Sequence, residues 1–271
     1  MPKFGGRLKT EHKGLPRTGN GGEVLAMLTQ SDLSRYERQI LYSGFGEEGQ
    51  RRLKETDVVV AGLGGLGCSA SLYLACAGVG HITIVDCDFE ELSNLNRQVL
   101  HWEEDIERKK SFSAAQKLTR LNPSIEVTPV FERITEDNAR DIVKGAHAVL
   151  DGMDNFETRF ILNSACVAEG IPFIHAGVHG LLGEVTTIIP GETPCLACIF
   201  PGLPERRGET PIFGVTPGLI AILQVTETIK LLARFGNLLT GKMLYVNGER
   251  MEFTFVEFTR RSECKVCGEG N

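Results

Sequence analysis

The chain has 271 residues, 42% of them hydrophobic, and a formal net charge of −6. That apolar content is ample for a packed core, and the acidic balance disfavours nucleic acid or an anionic membrane surface as a partner. No uninterrupted apolar run reaches the roughly 18 residues that span a bilayer, and residues 1–22 lack the apolar centre of a signal peptide, so a cytoplasmic address with no membrane partner is expected.

Residues 1–30 read as a flexible tail. They are glycine-rich, carry Lys3, Arg7, Lys9, Lys13 and Arg17 against Glu11 and Glu23, and hold too little apolar sequence to fold alone. From residue 31 to 271 the pattern predicts a single domain. A capped helix is expected over 31–42 and a second over 48–54. Strands and helices then alternate: strand 58–61, helix 66–77, strand 82–85, helix 111–121, strand 126–130, helix 136–144, strand 148–150 and helix 157–169. Such alternation makes a parallel sheet with helices on both faces, and short, wholly apolar strands suit burial from both sides. After residue 171 the rhythm changes. Strands 173–176 and 184–189 have only glycine-rich sequence between them, too little for a crossover helix, so this part is predicted antiparallel. A long helix over 216–233 and a hairpin of 243–246 with 252–258 around Asn247-Gly248 close the chain. The predicted class is α/β, a Rossmann-like, mostly parallel sheet with an antiparallel C-terminal extension.

Strand 58–61 runs into Gly62-Leu63-Gly64-Gly65-Leu66-Gly67. Gly62, Gly64 and Gly67 fit the dinucleotide fingerprint: a tight turn, close approach of backbone to phosphate, and close helix–strand packing. The free N–H groups of the following helix favour anionic oxygen. Asp86 ends the next strand, where a carboxylate can accept from ribose hydroxyls. An adenine nucleotide follows, but the turn alone does not separate ATP from NAD. Basic residues do, because a triphosphate needs more neutralisation. Arg97 in Ser93-Asn94-Leu95-Asn96-Arg97-Gln98, Lys110 before a helix, and Arg38 are such residues.

Cys195-x-x-Cys198 and Cys264-x-x-Cys267 match the four-thiolate cage that zinc favours, closed to catalysis and structural in role. Two disulfides or a redox pair are the alternatives. Cys68, Cys76, Cys87 and Cys166 fall inside predicted elements and read as small core residues. The histidines His81, His101, His147, His175 and His179 share no spacing and read as surface or packing residues, with His175 and His179 near a strand–loop region that could line a groove.

The set "RYERQI", "GLGGLG", "DCD…LSNLNRQVLH", a lysine before a helix ending in "RLNP", "DGMDN" and the two Cys-x-x-Cys pairs resembles the ThiF/MoeB/HesA proteins, relatives of the ubiquitin-activating enzymes, over about residues 31–267. The resemblance implies an adenylyltransferase. It would use Mg-ATP to adenylate the C-terminal glycine of a ubiquitin-like sulfur-carrier protein with a Gly-Gly end, of the MoaD/ThiS kind, and release pyrophosphate. It implies nucleotide contacts from Gly62, Gly64, Gly65, Gly67, Asp86, Ser93, Asn94, Asn96 and Asn155, catalytic roles for Arg97, Lys110 and Asp154, with Asp154 on magnesium, and Arg38 reaching the site of a partner subunit in a homodimer. Asp154 also reads as a helix N-cap. No general base is needed, since a glycine carboxylate is ionised at pH 7. Some relatives carry a cysteine twelve residues past the first zinc pair that links covalently to the carrier. Here that residue is Thr210, so adenylation without a thioester at this locus is expected, with sulfur from a separate donor protein. The loop 202–214, with Glu205, Arg206, Arg207 and Glu209, reads as a cover for the carrier tail or as a plain surface loop.

Three other readings compete. A nicotinamide oxidoreductase would leave Arg97, Lys110 and the cysteine pairs unexplained. An adenylating tRNA dehydratase of the same fold sits poorly with the acidic charge. A non-catalytic scaffold would have no reason to keep Arg38, Arg97, Lys110 and Asp154.

Overall fold

A computed structural model describes residues 27–202 and 211–268. The expectations for residues 1–26, for Thr210 and for most of the 202–214 loop lie outside them. The chain begins with α1 (Gln30–Arg35), α2 (Glu37–Ile40) and α3 (Gly46–Lys54). The single helix expected over 31–42 is therefore two. Thr29 caps α1 through a reciprocal box with Asp32. Tyr36 then leaves the helical region because its ring is buried and its hydroxyl accepts from Asn122 Nδ2 at 2.8 Å. Tertiary anchoring of one residue outweighs the helical period.

Alternation follows as β1 (Asp57–Ala61), α4 (Gly65–Ala77), β2 (His81–Val85), α5 (Lys110–Leu121), β3 (Glu126–Val130), α6 (Ala139–Val143), β4 (Ala148–Asp151) and α7 (Phe156–Glu169). The helix expected over 136–144 is shortened at its start, because the Asn138 side chain accepts from the Thr135 N–H and holds a turn there. Then come β5 (Phe173–His179), β6 (Leu182–Ile188), α8 (Leu196–Ile199), α9 (Val215–Ala233), β7 (Lys242–Asn247) and β8 (Glu252–Glu257). The β7–β8 turn is longer than the two-residue turn that Asn247-Gly248 suggests. Asn247 pairs with Glu252, and its Oδ1 accepts from the N–H groups of Glu249 and Arg250.

All eight strands form one sheet in the order β3-β2-β1-β4-β5-β6-β7-β8, parallel from β3 to β5 and antiparallel from β5 to β8. Alternate residues feed two cores. Val58, Val60, Ile82, Ile84 and Leu150 face α4, α5 and α9, whereas Val59, Ala61, Val85 and Val149 face α6 and α7. The chain runs outward from β1 to β3, then returns to start β4 on the other side of β1. In such sheets the crevice beyond the carboxyl ends of the strands at this switch is where ligands bind.

The expectation of no bilayer-length apolar segment needs correction. With 19 residues and mean hydropathy 1.3, α9 is long and apolar enough to cross a membrane by length and composition. The polar residues within it hide this from a search for unbroken apolar runs. Its polar groups have partners inside the fold: Gln224 donates to the Asp151 and Ile174 carbonyls, and Glu227 accepts from Thr187 Oγ1 at 2.9 Å and from the Leu239 N–H. It packs on α4 and β5 as a core helix.

Candidate active site

At the switch point the ends of β1 and β4 bring two glycines face to face. Gly62 has φ +91°, and a Cβ there would stand 2.7 Å from the Gly152 carbonyl oxygen. A Cβ at Gly152 would meet the Gly62 oxygen at the same 2.7 Å. At Gly67 any side chain would overlap the Gly62 carbonyl, so the helix starts hard against the strand end. Gly64 is the N-cap of α4 without a side-chain cap, which leaves the first N–H groups of the helix open to an anion. Gly65 carries a packing reason of its own: a Cβ there would press on Pro217 of α9 at 2.8 Å and lie 3.4 Å from Arg97 Cγ. Gly152 was missed by the sequence reading, since its constraint comes from a strand 90 residues away.

Asp86 follows β2. One carboxylate oxygen accepts from the Leu63 N–H at 2.7 Å, the other from the Asp88 N–H at 2.8 Å. Burial raises its pKa, against the lowering effect of these two N–H groups and of Lys110. A cleft of about 90 Å³ joins Gly62, Asp86, Met153, Asp154 and Asn155, with Arg133 on its rim. The sequence reading did not single out Arg133. It enters from the segment after β3, where no motif marks it.

Asp154 is exposed, and Asn155 Nδ2 donates to its Oδ1 at 3.2 Å. The N-cap of α7 is Asn155, not Asp154: Asn155 Oδ1 accepts from the Thr158 N–H at 2.8 Å. The cap role proposed for Asp154 thus falls to its neighbour, and its carboxylate stays at the cleft.

Arg97 and Lys110 are not among the residues that line this cleft, but Lys110 reaches Asp88 at its wall. A 3-10 turn over Leu92–Asn94 leads into Arg97, whose guanidinium donates to the Ser93 carbonyl at 2.7 Å and to Asn96 Oδ1 at 3.0 Å. Asn94 is buried and its Oδ1 accepts from the Glu91 N–H. Lys110 opens α5, is buried, and places Nζ 3.7 Å from the Asp88 carboxylate. Glu90 and His101 lie buried nearby, with Glu90 Oε2 3.7 Å from His101 Nε2. Burial raises Glu90 to about 7, against Lys110; burial and Lys117 lower His101 to about 4. Arg38 is exposed on α2 and is not among the residues that line the cleft.

The two Cys-x-x-Cys pairs converge. Cys195 and Cys264 sulfurs are 3.7 Å apart, those of Cys198 and Cys267 3.4 Å, and all four lie within 4.8 Å of one another. These spacings are far beyond a disulfide bond and bracket the roughly 3.8 Å edge of a tetrahedron with metal–sulfur bonds of about 2.3 Å. The four-thiolate donor set therefore fits zinc. Burial pushes the Cys195 thiol up. At Cys264 burial is overcome by the Cys267 and Val266 N–H groups, which bring it down to about 7. The site ties the C-terminal segment to α8. Of the other cysteines, Cys68 and Cys166 are buried as expected, but Cys76 is exposed and Cys87 borders the cleft. Helix and strand periods placed both inside; Cys76 lies on the outer side of α4, and Cys87 lies just beyond β2.

Behind the Asp154 loop, His175, expected as a packing residue or a groove lining, is wholly buried and does not line the cleft. Asp151, Arg159 and His175 are buried, with His175 Nδ1 donating to Asp151 Oδ2 at 2.7 Å.

A Rossmann-type crevice with an open helix N-terminus, an acid at the second strand end and a separate cluster of four cysteines that could hold a metal define a mostly parallel α/β protein. The chain belongs to the ThiF family, whose model matches residues 36–266. It is 42% identical over 248 residues to the SAMP-activating enzyme E1 of Haloferax volcanii, covering 90% of this chain and 92% of that one. It is 36% identical over 270 residues to the adenylyltransferase and sulfurtransferase MOCS3 of Drosophila sechellia, covering 97% of this chain and 60% of that protein. Among solved structures it is similar to E. coli MccB with ATP, at a TM-score of 0.79 and 26% identity, covering 86% of this chain and 74% of that one.

Proposed function

We propose that this protein adenylates the C-terminal carboxylate of a small ubiquitin-like sulfur-carrier protein with a Gly-Gly end, consuming ATP and releasing pyrophosphate. The observation that carries this reading is the cleft at the end of the glycine turn where Gly62, Asp86 and Asp154 meet, with Lys110 reaching Asp88 at its wall and the uncapped α4 N-terminus two residues on from Gly62. The E1-type names of the relatives support it.

Asp86 is the ribose acceptor, and the free N–H groups of α4 face the phosphates. A carrier carboxylate oxygen bonds to the α-phosphorus and the bond to the β-phosphate oxygen breaks. Pyrophosphate leaves with its electron pair, and no proton moves because the carboxylate is already ionised. Arg97 and Lys110 offset the negative charge gathered in that step. Asp154 would hold magnesium, which would supply charge neutralisation for the triphosphate. Cys195, Cys198, Cys264 and Cys267 would hold zinc in a structural role. Their reduced thiols suit the cytoplasm. No cysteine lies between Cys198 and Cys264, so no covalent link to the carrier forms in that stretch; a separate donor protein brings the sulfur. The active unit is a homodimer in which Arg38 serves the partner's site.

The test is exchange of labelled pyrophosphate into ATP with a panel of Gly-Gly carriers. Exchange that depends on one carrier supports the reading and identifies the carrier. No exchange with any carrier, together with no ATP binding, overturns it.

A further inference from the structure

We propose that His175 is a positioning residue for this site: its imidazole, set between the Asp151 and Glu184 carboxylates, holds the turn that presents Asp154. The inference rests on the nucleotide reading above for its catalytic consequence, but not for its geometry.

Asp151 is the last residue of β4, and Asp154 lies three residues on. The register that pairs Leu150 with Ile174 puts Asp151 beside His175 on β5. Asp151 uses both oxygens. Oδ1 accepts from the Met153 N–H at 3.0 Å, and Oδ2 accepts from His175 Nδ1 at 2.7 Å. Arg159 of α7 places Nε 3.4 Å from the same Oδ2 and donates through Nη2 to the Met153 carbonyl. Both backbone groups of Met153, the residue before Asp154, are thus tied to one buried charged cluster. On the far side of the ring, Nε2 lies 3.4 Å from Glu184 Oε1 on β6.

The remaining neighbours are accounted for. Gln224 of α9 donates to the Asp151 carbonyl at 3.0 Å, the Phe200 ring packs edge-on to the imidazole, and Tyr245 of β7 pairs across from Glu184. Two carboxylates against one guanidinium leave a negative charge in a nearly dry interior. Burial alone would pull the His175 pKa down, but the hydrogen bonds to Asp151 and Glu184 and the Asp151 charge outweigh it and raise it. The ring nitrogen that matters to the turn is Nδ1, which holds the same carboxylate that takes the Met153 N–H.

Two substitutions separate the two ring nitrogens. In His175→Asn the amide nitrogen sits where Nδ1 does and keeps the Asp151 hydrogen bond. In His175→Gln it sits nearer Nε2 and gives that bond up. The primary readout is amide hydrogen exchange of residues 152–156 in the ligand-free protein, which needs no activity. His175→Gln is expected to speed it about tenfold or more, on the scale of one charge-assisted hydrogen bond, while His175→Asn stays within about threefold of native. In carrier-dependent pyrophosphate exchange, His175→Gln should raise the half-saturating Mg2+ concentration about tenfold with the carrier KM unchanged. Should His175→Gln not fold, Asp151→Asn carries the same exchange prediction. Exchange at 152–156 within twofold of native, or an increase shared equally by β5 and β6, overturns the proposal, as does equal damage from Asn and Gln. If the native protein shows no pyrophosphate exchange, the proposed function fails on its own and the amide-exchange arm still decides the role of His175.

Discussion

Two adjacent residues after β4 carry different tasks. Both are exposed and line the cleft, but Asn155 also caps α7, whereas Asp154 does not. Asn155→Ala should therefore cost about 1 kcal/mol of stability, a fall of roughly 2–4 °C in melting temperature for a chain of this size. Asp154→Ala should change stability by less than about 1 kcal/mol and yet lower carrier-dependent pyrophosphate exchange about a hundredfold or more. Thermal melts and exchange rates on both variants check this. A large stability loss in Asp154→Ala with exchange retained would reverse the assignment. The same short stretch shows how local chemistry is read. "DGMDN" announces a helix start after a strand, and either Asp or Asn suits a cap. Only the structure tells which side chain turns back to the Thr158 N–H.

Among elements, the described residues after β8 form no helix or strand, and the Cys264 and Cys267 sulfurs meet those of Cys195 and Cys198 at α8, with the Arg261 N–H also donating to the Cys198 sulfur. Arg260 adds a hydrogen bond to the Gly191 carbonyl, a slender supplement. We expect one zinc per chain. Cys195→Ser should abolish metal retention and lower the melting temperature by at least about 5 °C, because a metal that binds only the folded cage contributes its binding energy to folding. Metal analysis of the purified protein together with thermal melts measures both. Metal-free native protein whose melting temperature is indifferent to a chelator would exclude the site. Strands β1, β2 and β4 of the parallel half were legible because they are largely buried and rich in β-branched residues. Helices α4, α5 and α7 were legible from their period. The breaks at Tyr36 and Asn138 were not, since one is imposed by a distant asparagine and the other by a side chain competing with the helix.

For the whole molecule, the position of Arg38 is the open element of the proposed mechanism. It is exposed on α2, away from the cleft lining. If Arg38 serves the partner's site, Arg38→Ala and Asp154→Ala chains, each inactive alone, should restore about a quarter of native exchange when dissociated and reassembled together, since half of the random dimers then hold one intact site. Sedimentation of the mixture verifies the dimer. A fully active monomer, or a mixture as inactive as its components, would remove Arg38 from the site.

The sequence by itself determined whatever depends on neighbours along the chain. The glycine turn is legible because backbone freedom and close approach need glycine locally; the alternation of strand and helix is legible because burial repeats with the period of each element. The cysteine pairs carry their donor chemistry in their spacing. Tertiary structure decided what depends on which strands lie side by side. Pairing β1 with β4 sets Gly62 against Gly152 and makes the cleft. Pairing β4 with β5 sets Asp151 against His175 and locks the turn before Asp154. Packing on the sheet turns α9, whose composition alone would suit a membrane, into a core helix with its glutamate satisfied. These contacts join residues far apart in the chain, and a charge or a glycine shows its purpose there only once the partner strand is in register.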